Sequence, residues 1–142
     1  MRISDEYTSL DLKLAETLPE GIPGAGDLRL DVEVHVAQFT GRNETVWVSH
    51  EQFEHFLLDL HRLEESRSGA AELASLSPEK FHLGVRVADS AGHVEVVGEL
   101  GKVHWGGRSR RSLKNQIAFA MDFDPTHLAS LLEDFRGLCV MR

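Results

Sequence analysis

The chain has 142 residues, 42% of them hydrophobic and 27% charged, a balance that fits a folded soluble protein and excludes a disordered one. The length suits a single domain over residues 1–142, and no apolar run approaches the roughly 20 residues of a membrane helix. Residues 1–79 hold sixteen Asp or Glu against six Lys or Arg, and residues 80–142 hold seven against nine, so the formal charge of −8 sits on the first part; this disfavours broad nucleic-acid binding and favours a basic partner or plain solubility.

The acidic opening, MRISDEYTSL, lacks the apolar stretch of a signal peptide. Cys139 is the one cysteine and cannot close an internal disulfide, so a reducing cytoplasm is the expected location.

Leu10, Leu12 and Leu14 fall at every second position and predict a half-buried strand. ETLPEGIPGAGD is a Pro/Gly-rich connector. Its glycines are wrongly spaced for a phosphate loop and lead into a strand, not into a helix. LRLDVEVHV then places Leu28, Leu30, Val32, Val34 and Val36 on one strand face, with Arg29, Asp31, Glu33 and His35 on the other. FTGRNE is expected to be a turn and TVWVS a further strand.

Ser49 with Gln52 three residues on is a capping box, and Val48 with Phe53 a hydrophobic staple. Phe53, Phe56, Leu57 and Leu60 follow helical spacing, with Gly69 just past the expected end. The device recurs 75 residues later. Strand IAFAMDF is followed by Asp124 as N-cap, Pro125 at the first helical position, apolar Leu128, Leu131, Leu132 and Phe135, and Gly137 as the expected stop. A duplication would explain this, but two amphipathic helices capped independently would look the same and are the preferred account.

Between the two units, FHLGVRVADSAGHVEVVGEL predicts a hairpin. With Asp89–Gly92 as its loop, Val87 faces Val94, Val85 faces Val96, Phe81 faces Leu100, and on the other face Arg86 meets Glu95 and His82 meets Glu99. Slipping by one residue would put Arg86 among valines. His93 is then a residue after a turn, not a catalytic one.

Candidate chemistry is sparse. His50 and His55 stand five apart, about 140° around a helix, so HEQFEH misses the spacing of a zinc-protease motif. His50 and His61 share a face but lie roughly 16 Å apart. No nucleophile elbow, P-loop or cysteine-protease signature is present, so no enzyme, cofactor or metal is expected. Glu64–Glu65 and Glu133–Asp134 are neighbours that cannot face each other on a helix. The segment KVHWGGRSRRSLK gathers Lys102, Trp105, Arg108, Arg110, Arg111 and Lys114. Such a set can grip a nucleic-acid backbone; the alternatives are an exposed loop kept soluble by charge, or contact with the acidic half of another copy in a homodimer.

Three segments taken together carry a family resemblance: WVSHEQFEHFLLDLHRLEE, then GAAELASLSPEKFHLGVRVADSAGHVEVVGELG, then FAMDFDPTHLASLLEDF. Over roughly residues 27–136 this pattern resembles the WapI-type immunity proteins of bacteria and similar small actinobacterial proteins. The resemblance implies a non-enzymatic cytoplasmic protein that binds and neutralises a cognate toxin domain, and it brings no catalytic residues. The acidic half then implies a basic toxin, with Asp31 and Glu33 on the wet strand face as the candidate contact. A small nucleic-acid-binding or regulatory module using residues 102–114 is the alternative. The expected fold is α+β, an antiparallel sheet of about seven strands with two amphipathic helices on its apolar face.

Overall fold

The computed structural model describes residues 1–108 and 110–139. Four strands come first: β1 (Arg2–Ser4), β2 (Thr8–Thr17), β3 (Leu28–Val36) and β4 (Phe39–Val48), followed by α1 (His50–Ser66). Four more follow: β5 (Ala70–Ala74), β6 (Phe81–Val87), β7 (Val94–Gly106) and β8 (Arg111–Phe123), before a single 3-10 turn at Pro125–His127 and α2 (Leu128–Leu138). The class is α+β, but the strands divide into two antiparallel sheets, ordered β1-β2-β3-β4 and β5-β6-β7-β8. The single sheet of about seven strands is therefore corrected to two sheets of four. Alternation shows which side of each strand is apolar, whereas partners across a helix are set only when the chain packs.

In both sheets the apolar faces turn inward. Leu10, Leu12, Leu30, Val32 and Val34 from the first meet Phe81, Leu83, Val85, Val96 and Met121 from the second in one continuous core. The sheets touch where β4 crosses β7 and β8, while α1 packs on β5 and on α2. The helices add Phe53, Phe56, Leu60 and Leu63 from α1 and Leu128, Leu131, Leu132 and Phe135 from α2. Each buried side chain of this size stabilises by roughly 1.5–3 kcal/mol. Leu57, expected in the core, is only partly buried, and Leu63 one turn beyond Leu60 is buried instead.

The helix starts follow the expected capping with one correction: Asp124 caps the 3-10 turn Pro125–His127 that leads into α2, whose own N-cap, His127, makes no side-chain cap bond. The Ser49 hydroxyl accepts the Gln52 N–H at 3.1 Å, and Asp124 accepts the Thr126 N–H at 2.9 Å. The ends do not. Arg67 closes α1 in the left-handed conformation, donating its N–H to the Leu63 carbonyl at 2.8 Å, and Gly69, at φ 86°, follows two residues on without capping the helix. Helix α2 runs through Gly137 to Leu138. Burial of Leu138 gives that last turn an apolar contact that the glycine's helix-breaking tendency does not outweigh.

The 81–100 hairpin has the expected register, Val87 with Val94, Val85 with Val96, Phe81 with Leu100 and Arg86 with Glu95. Arg86 Nε lies 2.6 Å from the Glu95 carboxylate. His82 is opposite Glu99, though its ring lies 4.0 Å from Glu72 on the other neighbouring strand. FTGRNE is a correction. It belongs to β4, and the turn is the pair before it, with Ala37 at φ 52°. Across the strands Val34 and Val36 face Gly41 and Phe39, so cross-strand pairing orders a stretch too polar to announce itself.

Candidate interaction surfaces

Asp31 and Glu33 lie where the alternation of β3 puts them, on the outward face of the first sheet, but that face is a ladder of both signs. Arg42 on β4 grips Asp31 with two bonds, Nη2 to Oδ2 at 2.7 Å and Nε to Oδ1 at 3.1 Å. These bonds hold the Asp31 carboxyl below its ordinary range, against a smaller opposing effect of burial, and raise the Arg42 guanidinium. Lys13 stands opposite Asp31 in register. Glu33 lies 2.9 Å from His35 Nε2, Arg2 holds Asp11 at 2.8 Å, and Arg29 reaches Glu16 at 3.2 Å. The charge here is thus largely matched within the sheet.

A second acidic surface is less compensated. Glu51, Gln52, His55 and Asp59 on α1, together with Glu72 on β5, line a groove of about 390 Å³. Around the helix, Glu54 and half-exposed Leu58 continue this surface. Asp59 has Arg62 at 3.5 Å, while Glu51 and Glu54 enter no ion pair among the described residues. Glu54 and the C-terminal end of α2 are near neighbours. Burial, and secondarily Glu54, push the half-buried Cys139 thiol up, which makes it a packing group and a poor nucleophile.

The basic segment is the main structural surprise. Most of residues 102–114 is strand and not loop. They are the outer half of the β7–β8 hairpin, with Lys102 opposite Asn115, His104 opposite Leu113, Trp105 opposite Ser112 and Gly106 opposite Arg111. Between the strands Gly107 stands at φ 76° and Arg110 at φ 49°; Ser109 lies outside the described residues. Strand β6 pairs with β7 no further than Leu100, so beyond that point the second sheet is a two-stranded ribbon. Lys102, Trp105, Arg108, Arg110, Arg111 and Lys114 are all exposed.

At the ribbon's base the two sheets are joined by a group the sequence did not mark. Asn43 is buried at a bulge between β3 and β4; its Nδ2 donates to the Gly101 carbonyl at 2.8 Å and its Oδ1 accepts the Thr45 N–H at 2.9 Å. A side chain at Gly101 would run into the Glu79 carbonyl, and one at Gly98 into that of His82. Two glycines three apart inside a valine-rich strand were the available signal for such close approach.

The histidines stay dispersed. His50, His55 and His61 sit along α1, and among the described residues no group of three or more His, Cys, Asp or Glu is arranged to hold a metal ion. His93 is held in its turn by Asp89, Nδ1 to Oδ2 at 2.6 Å. No helix among the described residues is long and apolar enough to cross a membrane.

No curated protein and no solved structure matches the chain. The immunity protein WapI-like family does, over residues 1–139, from β1 to the end of α2. The match includes every strand and both capped helices, and the chain belongs to the WapI-like immunity protein family.

Proposed function

We propose that this protein acts in the cytoplasm by binding a cognate toxin domain and blocking it, without turnover of its own. The observation that carries this is the family match over residues 1–139, which takes in the whole two-sheet fold and not one motif within it. The partner is basic on the face it presents, since the first half of the chain holds sixteen acids against six Lys or Arg. Contact runs over the acidic side of that half, from Asp31 and Glu33 on the sheet to Glu51, Glu54 and Glu72 beside α1. The second group supplies more of the attraction, because Asp31 is already spent on Arg42.

The test uses the toxin encoded beside this protein. Co-expression should protect the host cell, and the two chains should co-elute. Glu51→Lys with Glu54→Lys should slow association several-fold at low salt and less at high salt, as exposed charges mainly steer encounter. Glu33→Lys should have a smaller effect. Failure to protect or bind would overturn the reading. Normal association of the Glu51/Glu54 variant together with slowed association of the Glu33 variant would move the contact to the sheet.

A further inference from the structure

We propose that the β7–β8 ribbon is a binding element for single-stranded nucleic acid, in which the cations hold the phosphate backbone and Trp105 stacks on a base. This stands apart from the toxin reading. From Leu100 to Met121 there is no Asp or Glu, although the chain has 23. The same stretch holds Lys102, Arg108, Arg110, Arg111 and Lys114, five of the chain's 15 Lys and Arg. None of the five enters an ion pair among the described residues, whereas Arg2, Arg29, Arg42, Arg62, Arg86 and Arg136 all do. Positive charge is segregated here and left free.

The register arranges it. Residues opposite each other in an antiparallel pair share a face. Trp105 opposite Ser112 and Lys114 opposite Val103 therefore present a ring and an ammonium side by side, next to Arg108 and Arg110 at the tip. Trp105 is 72% exposed. Lys102 and Arg111 lie on the opposite face. Cations on both faces and the tip suit a flexible polyanion that wraps the ribbon better than one flat acidic patch. A stacked base favours an unpaired strand, because bases in a duplex have no free ring face to offer.

Net charge alone argues against such binding, and the ribbon's reach answers it. The β3–β4 hairpin closes at Val36–Phe39, eight residues after the Leu28–Val48 pair, whereas the β7–β8 hairpin continues for twelve after Val94–Phe123. Four further residues at about 3.3 Å each carry the tip roughly 13 Å past the first hairpin's equivalent end. That exceeds the screening length of about 8 Å at physiological salt. The tip therefore presents its own charge more than that of the acidic body.

The test is fluorescence anisotropy with labelled 12-nucleotide oligo-dT and oligo-U, the protein being used as the full chain without toxin. Contact with three or four phosphates predicts binding at 50 mM salt that weakens about thirty-fold at 200 mM. Arg108→Glu with Arg110→Glu and Arg111→Glu should abolish it. Trp105→Ala should weaken it about tenfold while leaving the salt slope in place, since stacking is not ionic. Circular dichroism checks that both variants keep the native fold. Absence of binding at 50 mM salt would overturn the proposal, as would binding indifferent to both variants. So would oligonucleotide-independent self-association that the triple variant removes, because the occupant would then be a second copy.

Discussion

The two halves of the chain are built to one plan and differ most in one place. Each is a four-stranded antiparallel meander in sequential order followed by an amphipathic helix, the first capped by Ser49 and the second entered through a 3-10 turn capped by Asp124. The helices meet at their equivalent faces, Phe56 against Phe135 with ring centroids 4.8 Å apart and nearly perpendicular. The largest difference is the last hairpin of each sheet, β3–β4 in the first and β7–β8 in the second. In the first half it has strands of nine and ten residues, carries a bulge, and displays paired charges of both signs. In the second both strands have thirteen residues, pair without a shift, and end in an acid-free tip. The shared parts are the ones buried in the common core, where packing tolerates little change. The divergent part lies outside it, where a hairpin can lengthen and change sign without disturbing the fold.

The comparison breaks most sharply at the ring contact. Phe56→Ala and Phe135→Ala should each cost about 3–5 kcal/mol by chemical denaturation, and the double variant should cost less than the sum because the rings touch. Full additivity would mean that the halves do not share a core. A smaller effect is expected at Asn43, which has no partner of its kind in the second half's hairpin. Asn43→Ala removes the donor to Gly101 and should destabilise by about 1–3 kcal/mol, with hydrogen exchange of the β3–β4 amides rising first. Protection lost equally across both sheets would show instead that this bond sets the whole assembly.

The smallest effect separates the two helix caps. Ser49→Ala should cost about 1 kcal/mol at any pH, since a hydroxyl does not titrate. Asp124→Ala should destabilise near neutral pH and do nothing at low pH. Thr126 donates its backbone N–H and its hydroxyl to the Asp124 carboxylate and lowers its pKa from 3.8, so the cap's contribution is present above that value and lost as pH falls through the folded-state value. Thermal melts of both variants from pH 7 to pH 2 read the contrast, and identical pH profiles would sink it.

Much of this molecule is local in origin. The bounds of β3, the register of the 81–100 hairpin, the start of α1 and the Asp124-capped turn before α2 follow from period-two alternation, cross-strand charge and capping side chains, all set by neighbours within about twenty residues. Family membership was legible for the same reason, because its signature residues are these structural ones. The candidate surfaces were less so. Asp31 and Glu33 were correctly placed outward, but Arg42 could not be assigned to Asp31 while residues 39–44 were expected to be a turn. The basic segment stands out in the sequence by its charge but reads as a loop, because Trp105, Ser112 and Lys114 have no alternation of their own and are paired only across the hairpin.

What the sequence by itself determined is therefore the inward face of each strand, the helix starts and the imbalance of charge, since each depends on side chains a few residues apart. The tertiary structure alone decided that the strands divide into two sheets, that Asn43 ties them at Gly101, and that five cations end up on a ribbon beyond the acidic body. Those outcomes depend on pairings between distant residues, where the choice of partner follows from which apolar faces can be buried together, a property of the packed core and not of any one segment.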